Sequence, residues 1–432
     1  METTIRRVDD RALGECYYAI NHACGLSVYL IPKKLTTAYA LFATKYGSLD
    51  NCFRRKGEQE FTTVPNGIAH FLEHKLFEAE DGSDAFNRFG AIGANANAYT
   101  SFDKTAYLFS CTDEFEQALE ILLDFVTHPY FTEKTVQKEQ GIIGQEINMC
   151  QDRPGNALFY SLMRALYEKH PLRIDIAGTV DSIARINADL LYRCYNVFYN
   201  LHNMVLCICG DVTPETVVSV IDRTLSPQDD PQIERTSVAE SPNVYRARSY
   251  GTAEVAKPLF AIGVKDVEIP TDPAARARRR AALNILFEML FSESGRFYND
   301  LYERGLIGKE LDYAADQWEA FSFGMLSGES DDPEAVFSAL TAYLAEQREK
   351  GLSLADFRRY QNVLYADTVK SFDSVDTVAN NLLDSVQDGA DPFAYARALS
   401  EITFDEITAL FLSYFKDAHL AMSVITPTEV SK

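Results

Sequence analysis

Apolar and polar positions alternate along this chain in a way that predicts two successive sets of strands and helices. Two apolar runs within residues 27–46, broken by a prolyl segment at 32–34, predict two strands, and an amphipathic stretch over 67–79 predicts a helix after them. The second half repeats this order, with a predicted strand at 258–264 and a predicted helix at 274–291. The repetition indicates two related units.

The later parts of the two halves also match. Helical patterns at 132–150 and 353–372 each open at a hydroxyl residue suited to an N-cap. Apolar strands at 204–210 and 421–425 then close the halves. This self-similarity predicts the α+β fold class, built by tandem duplication of a unit that combines a mixed sheet with helices.

A polar segment separates the halves. The chain has 432 residues, which is enough for two sizeable domains. Residues 226–245 hold three prolines, so neither a helix nor a central strand continues through them. We therefore predict one domain at 1–225, a linker at 226–245 and a second domain at 246–432.

Composition narrows the possible partners and the compartment. With 41 Lys+Arg against 63 Asp+Glu the net charge is −22, which repels nucleic acids and anionic membranes. No apolar run approaches the roughly 18 residues of a membrane span, and the N-terminal sequence lacks a signal-peptide pattern. All eight cysteines lie at or before Cys209, unlike a secreted disulfide framework. We expect a cytoplasmic protein with reduced thiols that binds neither nucleic acid nor membrane.

The pattern His-x-x-Glu-His at His70, Glu73 and His74 is the strongest chemical signal. These positions share one face of the predicted helix, which Asn66 is expected to cap. Two imidazoles so placed can bind one Zn²⁺ at ~2.0–2.1 Å, and the carboxylate beside them can act on water as a general base. The pattern is the inverted form of a zinc-peptidase signature. Two unrelated surface histidines are the alternative.

A catalytic zinc needs a third protein ligand, and the helix predicted at 132–150 offers candidates. Glu139 and Glu146 are two helical turns apart and share a face. Gly141 and Gly144 between them each cost ~1 kcal/mol relative to Ala, so we expect them to permit a close approach to the first helix. A solvated acidic face with incidental glycines is the alternative.

Together these motifs resemble the pitrilysin/insulinase family of zinc peptidases, which includes the mitochondrial processing peptidases and a two-domain bacterial branch. Residues 93–107 resemble the family's Asn-Ala-Tyr-Thr stretch. The resemblance is dense across 25–215 and thinner across 245–432. The residues around the motifs are most similar to those of insulinase-like proteins of Gram-positive bacteria that are linked to elongation-factor-P modification.

The resemblance implies a role for each residue of the motif. It implies a Zn²⁺ cofactor, with His70, His74 and Glu146 as the ligands. It implies that Glu73 is the catalytic base and that Glu139 is a second carboxylate, which supports the site from behind the ligands.

The resemblance also implies a strand that binds substrate. Asn97, Ala98, Tyr99 and Thr100 match the family's edge strand, along which a peptide lies as an added β-strand. Main-chain hydrogen bonds then supply much of the binding, which tolerates many side chains.

The second half departs from the motif. It carries Asn284, Phe287 and Glu288 in place of the two histidines and the catalytic glutamate, and Tyr360 and Asp367 in place of the two later glutamates. These residues cannot form a site of two histidines and one glutamate, so we expect the second domain to be structural.

Another departure concerns a basic and phenolic pair. Leu301 and Gly308 stand where catalytically complete members carry the Arg and Tyr that polarise the scissile carbonyl. The resemblance thus implies a heterodimer with a related subunit that lacks the zinc motif and supplies both groups. A homodimer in which Arg296 or Arg304 fills the gap is the alternative.

The predicted function is therefore that of a zinc-dependent endopeptidase subunit acting on short or unfolded peptides. A non-catalytic peptide-binding or scaffold subunit is the alternative. The predicted substrate strand argues against a third reading, a zinc hydrolase of non-peptide substrates.

Overall fold

The structure is a computed structural model that describes residues 2–308 and 310–428. The strands are β1 (Thr4–Asp10), β2 (Glu15–Asn21), β3 (Ser27–Pro32), β4 (Ala38–Thr44), β5 (Cys52–Arg55), β6 (Thr62–Thr63), β7 (Asn95–Thr100), β8 (Thr105–Cys111), β9 (Met204–Gly210), β10 (Ile233–Arg235), β11 (Arg248–Ala253), β12 (Leu259–Lys265), β13 (Leu311–Gln317), β14 (Ser322–Glu329) and β15 (Leu420–Pro427). The helices are α1 (Ile68–Leu76), α2 (Ala85–Ala91), α3 (Phe115–Thr127), α4 (Glu133–Gln151), α5 (Pro154–Leu166), α6 (Val180–Ile183), α7 (Ala188–Phe198), α8 (Pro214–Thr224), α9 (Pro273–Phe291), α10 (Arg296–Glu303), α11 (Pro333–Lys350), α12 (Leu354–Ser371), α13 (Val375–Gln387), α14 (Ala394–Glu401) and α15 (Phe404–Tyr414).

None of the helices within residues 2–308 and 310–428 is both long enough and apolar enough to cross a membrane.

The chain folds as two compact units, each assembled from three segments. Unit 1 comprises residues up to 147, 174–237 and 370–387, and unit 2 comprises 148–173, 238–369 and residues from 388 onward.

A seven-stranded sheet in the order β1-β2-β3-β9-β4-β8-β7 forms the centre of unit 1. Its central strand, β9, is buried at every position, which explains why Met204–Gly210 is an uninterrupted apolar run. Met204, Leu206 and Ile208 join the main hydrophobic core, while α13 packs on β9 and β4. A second, three-stranded sheet has the order β10-β5-β6.

Unit 2 contains a five-stranded sheet in the order β11-β15-β12-β14-β13. Phe260, Ile262 and Val264 alternate along β12 into the core of this unit. On the opposite face α5 lies so close to β12 that a Cβ at Gly263 would stand 3.0 Å from side-chain carbons of Leu162 and Leu166. The packing favours glycine there, because a larger residue would force these leucine side chains to shift.

The two sheets repeat one topology. Strands β3-β9-β4-β8-β7 of unit 1 correspond in order to β11-β15-β12-β14-β13 of unit 2. The pair β3-β9 and the corresponding pair β11-β15 are parallel, and the other pairs within these two sets of five strands are antiparallel. The predicted α+β duplication is confirmed. The strands predicted at 204–210 and 258–264 and the four long predicted helices agree with the structure to within a few residues.

The compact units differ from contiguous domains because each contains a helix from the other half of the sequence. Helix α5 packs on β15 and β12 of unit 2, and α13 packs on the corresponding strands β9 and β4 of unit 1. The ranges 1–225 and 246–432 remain our proposal for the two homologous copies. As compact bodies, however, the copies exchange one helix each.

The segment predicted as a linker, 226–245, is not a free tether. Its strand β10 pairs with β5 in unit 1, with Glu234 opposite Arg54. Farther along, Glu240 accepts hydrogen bonds from the backbone N–H of Lys169 and of His170 and from the Lys265 ammonium. Its three prolines break helices, as predicted, but polar contacts fix the segment.

These contacts predict a pH-dependent contribution to stability. Burial raises the pKa of Glu240, but the two backbone donors and Lys265 outweigh it and lower the pKa from 4.5 to about 2. Since the folded pKa lies below the unfolded one, the stabilisation is complete above about pH 4.5 and is lost as the pH falls toward 2. Glu240→Gln should therefore reduce the free energy of unfolding by about 1–3 kcal/mol at pH 7.

Thermal unfolding of wild type and Glu240→Gln at pH 7 and pH 3.5 measures this contribution. The difference in Tm should shrink at the lower pH. Glu254, an exposed carboxylate of the same unit, gives the matched control Glu254→Gln, which should leave Tm unchanged. Equal Tm values for wild type and Glu240→Gln at pH 7 would contradict the assignment.

Candidate metal centre

Helix α1 begins at a backbone position that only glycine adopts easily. Gly67 is the N-cap with φ of 91°, and a Cβ there would lie 2.4 Å from the carbonyl oxygen of Ala177. The prediction that Asn66 caps this helix is wrong, because no side chain caps it. The Asn66 carbonyl instead accepts a hydrogen bond of 2.8 Å from Ser182 Oγ, which fixes the entry to the helix.

Along α1, apolar and polar faces divide as the sequence predicts. Phe71 and Leu72 are fully buried in the core of unit 1. His70 and His74 project together, with ring centroids 4.6 Å apart. The i, i+4 spacing therefore places both imidazoles on the face that α4 meets.

Helix α4 brings Glu146 to both imidazoles. One carboxylate oxygen lies 3.6 Å from His70 Nε2, and the other lies 3.5 Å from His74 Nε2. Tetrahedral ligands about 2.0–2.1 Å from a zinc ion are separated from one another by about 3.4 Å, so these distances suit a zinc ion between the groups. Within the described residues, His70, His74 and Glu146 are the one group of three whose donor atoms converge in this way.

The two glycines of α4 do not have the role expected for them. A Cβ added at Gly141 or Gly144 would have no neighbouring atom within 4 Å. The helices therefore do not need these glycines in order to approach one another, and the prediction of a glycine-dependent contact is wrong. The side chains of the ligands, and not a backbone contact, span the gap.

Glu139 lies behind His74 and forms an ion pair with it. His74 Nδ1 is 3.2 Å from Glu139 Oε1. Burial opposes the charged forms, but this hydrogen bond and the nearby carboxylates raise the pKa of His74, and His74 lowers the pKa of Glu139. When the carboxylate accepts a hydrogen bond from Nδ1–H, the neutral ring of His74 keeps Nε2 free to bind a metal.

His70 is electrostatically different from His74. Burial, reinforced by His74, lowers its pKa to about 4, so its imidazole is neutral at pH 7. A neutral imidazole is the form that binds a metal. Its Nδ1 atom is buried and has no hydrogen-bond partner among the described residues.

Glu73 is buried on α1 and contacts strand β7. Thr100 Oγ1 donates a hydrogen bond of 2.6 Å to Glu73 Oε2. Burial raises the pKa of Glu73, although the Thr100 hydroxyl and His74 work in the opposite direction. A carboxylate with a raised pKa, held in one position beside two imidazoles, is suited to accept a proton.

Strand β7 is the edge of its sheet and borders the same cavity. It pairs with β8, and no second strand of the described chain covers its other side. Residues 97–100 line a cavity of about 710 Å³ together with His70, His74 and the glutamates. The predicted substrate strand thus lies beside the metal-binding side chains, and the Asn97 side chain accepts a hydrogen bond of 2.9 Å from the backbone N–H of Ala98 on this strand.

One wall of this cavity was missed by the sequence analysis. Phe77 and Phe86 stack with ring centroids 4.3 Å apart, and Ile142 completes an apolar surface. Phe86 is 44% exposed and Ile142 is 46% exposed. The sequence signal for Ile142 is its position on a helix face that also carries Lys138, Glu139 and Glu146, where an apolar residue is unexpected.

The corresponding residues of unit 2 form ordinary structural contacts. Asn284 Nδ2 donates to Tyr395 OH, Phe287 is buried in the core, and Glu288 accepts from Tyr313 OH. Tyr360 OH is 2.9 Å from Ser294 Oγ. No metal-binding cluster is found in the part of unit 2 that the structure describes.

The two positions where an Arg and a Tyr were expected have no side-chain hydrogen-bond donor. Leu301 is completely buried in α10, and Gly308 has no side chain. Nearby, Arg304 pairs with Asp300 at 3.0 Å and Arg296 pairs with Glu346.

Comparison with protein families gives two matches that together cover most of the chain. The model of the insulinase family, peptidase family M16, matches residues 60–180. The model of the peptidase M16 inactive domain matches residues 185–364.

Individual relatives and one solved structure are also similar to the chain. The chain is 37% identical to zinc protease YmfH of Bacillus subtilis over 98% of this chain and 99% of that protein. It is 31% identical to the mitochondrial-processing peptidase subunit beta of Caenorhabditis elegans over 37% of this chain and 35% of that protein. The crystal structure of an M16-like peptidase from Alicyclobacillus acidocaldarius is similar with a TM-score of 0.90 and 33% identity, over 99% of both chains.

Removal of one imidazole tests the metal centre. We expect wild type to retain one Zn²⁺ per chain after dialysis and His74→Ala to retain none, because two remaining ligands rarely hold a structural or catalytic zinc. His128→Ala is the matched control, since that side chain is 69% exposed and lies outside the cluster. Zinc content measured by mass spectrometry decides the matter, and full retention in His74→Ala would refute the ligand set.

A substitution at Glu139 tests whether this residue binds the metal itself or only orients His74. Glu139→Gln should weaken zinc binding by about 10–100-fold, as expected for a group that orients a ligand without binding the metal. Competition with a chromophoric chelator measures the affinity. If Glu139→Gln lost zinc as completely as His74→Ala, Glu139 would be a ligand itself.

Proposed function

Because the chain belongs to the insulinase family, peptidase family M16, we propose that it is the catalytic subunit of a zinc-dependent endopeptidase. The observation that carries this proposal is the convergence of His70, His74 and Glu146 beside Glu73 and an open edge strand. The substrates are short or unfolded peptides, since an edge strand binds a chain only in extended form.

His70, His74 and Glu146 would hold the zinc ion, and Glu139 would fix the tautomer and ring orientation of His74. When bound, the zinc supplies a Lewis acid that polarises the scissile carbonyl and makes water a better nucleophile. The neutral state of His70 and the Nδ1 contact of His74 leave both Nε2 atoms available for it.

Glu73 is the proposed general base. It takes the proton of the attacking water and returns it to the leaving amine. Its contact with Thr100 holds one carboxylate oxygen, so the other oxygen keeps a fixed direction. Thr100 is thus proposed to position the base from the end of the same strand that binds the peptide.

Strand β7 is the proposed binding site for the peptide main chain. Asn97, Ala98 and Tyr99 offer backbone groups along the outer edge of the sheet. Because Thr100 of the same strand contacts Glu73, a peptide paired with β7 is brought to the base in one register. Tyr99 OH is 3.3 Å from Asn380 Oδ1 of α13, which supports the strand from behind.

A partner subunit is part of the proposal. Oxyanion stabilisation needs hydrogen-bond donors, and neither the buried Leu301 nor the glycine at 308 has a side chain that can donate. We propose a heterodimer with a related subunit that lacks the zinc motif and contributes an Arg and a Tyr. A homodimer that uses Arg296 or Arg304 would first have to break the ion pairs that these residues make.

The cytoplasm is the proposed location. All eight cysteines, which lie within the described residues, are free thiols, as expected in a reducing compartment. The charge of −22 argues against binding to nucleic acid or to an anionic membrane surface.

Replacement of the proposed base tests catalysis apart from metal binding. Glu73→Gln should keep zinc and fold but lose about 10²–10⁴ in peptide hydrolysis, because an amide cannot accept the proton from water. Cleavage of a quenched peptide by the zinc-loaded complex measures the rate. Glu80→Gln is the control, since Glu80 is exposed on the segment after α1 and does not line the cavity. A wild-type rate in Glu73→Gln would exclude the general-base role, and zinc binding without any hydrolysis by wild type would favour the scaffold alternative.

The division of labour between subunits gives a separate prediction. The isolated zinc-loaded chain should be slower than the complex by at least about 10²–10³, the effect of one missing oxyanion donor, because two donors are missing. The rate is measured for the chain alone over a range of concentrations and then with the related subunit added. Full activity from the isolated monomer, unchanged by substitution of Arg or Tyr in the partner, would overturn the two-subunit arrangement.

A further inference from the structure

The N-terminal strand β1 is a second open edge of the large sheet in unit 1. It lies at the opposite end of the strand order from β7 and pairs with β2 alone among the described strands. Its first four residues, Thr4–Arg7, are all exposed, and Ile5 is 45% exposed. An edge of seven residues without proline or a bulge is a template on which another strand can pair.

The charges of β1 select one particular partner. The strand reads Arg6-Arg7-Val8-Asp9-Asp10, so its charge pattern inverts about Val8. If a second copy pairs antiparallel around a two-fold axis at Val8, Arg7 lies opposite Asp9 of the other copy and Arg6 lies opposite Asp10. Residues directly opposite in an antiparallel pair share a face, so all four cross-strand pairs join opposite charges. A parallel pair in register would instead place Arg on Arg and Asp on Asp.

A pocket with charges of both signs lies beside β1. It has a volume of about 460 Å³ and is lined by Ile5 together with Glu215, Asp222 and Arg223 of α8. Arg11 begins the turn after β1, so the charge pairing of the proposed register is confined to the strand residues Arg6, Arg7, Asp9 and Asp10.

Asp10 Oδ1 accepts hydrogen bonds from the backbone N–H groups of Ala12 and Leu13, which a pair with Arg6 of the other copy must leave in place. The existing contact of Arg7 offers little resistance. Arg7 pairs with Asp9 of its own strand at 2.7 Å, but both side chains are more than half exposed. Exposed ion pairs of this kind stabilise a protein little, so an exchange for the equivalent pairs between copies costs little.

We propose that β1 is a self-association surface on which two copies of this chain pair antiparallel about Val8. The two seven-stranded sheets then form one continuous sheet, and β7 with the metal centre remains uncovered at each outer end. The inference does not depend on the proposed peptidase function. A single strand pair buries less surface than a standard interface, so the dimer should form at concentrations on the order of tens of micromolar.

Charge reversal with complementation tests this register. Arg6→Asp combined with Arg7→Asp makes the strand acidic on both sides of Val8, and Asp9→Arg combined with Asp10→Arg makes it basic. Each double variant alone should sediment as a monomer at 100 µM, because like charges then face each other. A 1:1 mixture of the two should recover a dimer, since every pair is again complementary.

Sedimentation velocity from about 5 to 200 µM measures the association, and thermal unfolding establishes that each variant is folded. Arg185→Asp is the control for the charge change, because Arg185 is exposed in unit 1 and belongs neither to β1 nor to the pocket beside it, and this variant should dimerise as wild type does. A monomeric wild type at 200 µM would overturn the proposal. So would dimers that persist in both double variants, or a mixture that stays monomeric.

Discussion

The contact of His74 with two carboxylates of one helix is the interaction on which the candidate site depends. Glu139 takes one ring nitrogen and Glu146 lies near the other, so a single imidazole joins α1 to α4. The arrangement ties together segments that lie far apart in the sequence. Since Glu73 of α1 also accepts from Thr100 of β7, the same short helix aligns the metal-binding groups with the edge strand. Burial around α1 keeps these polar contacts away from water and strengthens them.

Sequence reasoning found those parts of the site that depend on helix periodicity. The spacing of His70, Glu73 and His74, and that of Glu139 and Glu146, requires only 3.6 residues per turn, and the structure places these side chains as that period predicts. The prediction that Asn66 caps α1 failed because tertiary contacts set the start of the helix. Gly67 is the N-cap, and the carbonyl oxygen of Ala177 occupies the space that a side chain at Gly67 would need. The expected role of Gly141 and Gly144 failed similarly, since the space around a residue depends on elements distant in sequence.

The fold shows the same boundary between local and distant information. Alternation in each half predicted the strands and long helices, and the repetition of their order predicted the duplication. The exchange of α5 and α13 could not be predicted in this way. Both are amphipathic helices, and they pack on corresponding strands of two sheets with the same topology. An apolar helix face therefore fits either sheet equally well as far as its sequence pattern is concerned, and three-dimensional connectivity decides between them.

The exchanged helix α13 has a consequence for how this protein is made on the ribosome. Strands β3, β4 and β9 are complete once residue 210 has been synthesised, but the helix that covers one face of β4 and β9 ends only at Gln387. At a translation rate of about 5–20 residues per second, synthesis of the chain from residue 210 to the end of α13 takes roughly 10–35 s. During that time an apolar surface formed by residues such as Leu41, Val205 and Cys207 is exposed to the cell. The nascent chain is therefore a natural client for a chaperone, and its first half cannot finish folding before the second half is almost entirely translated.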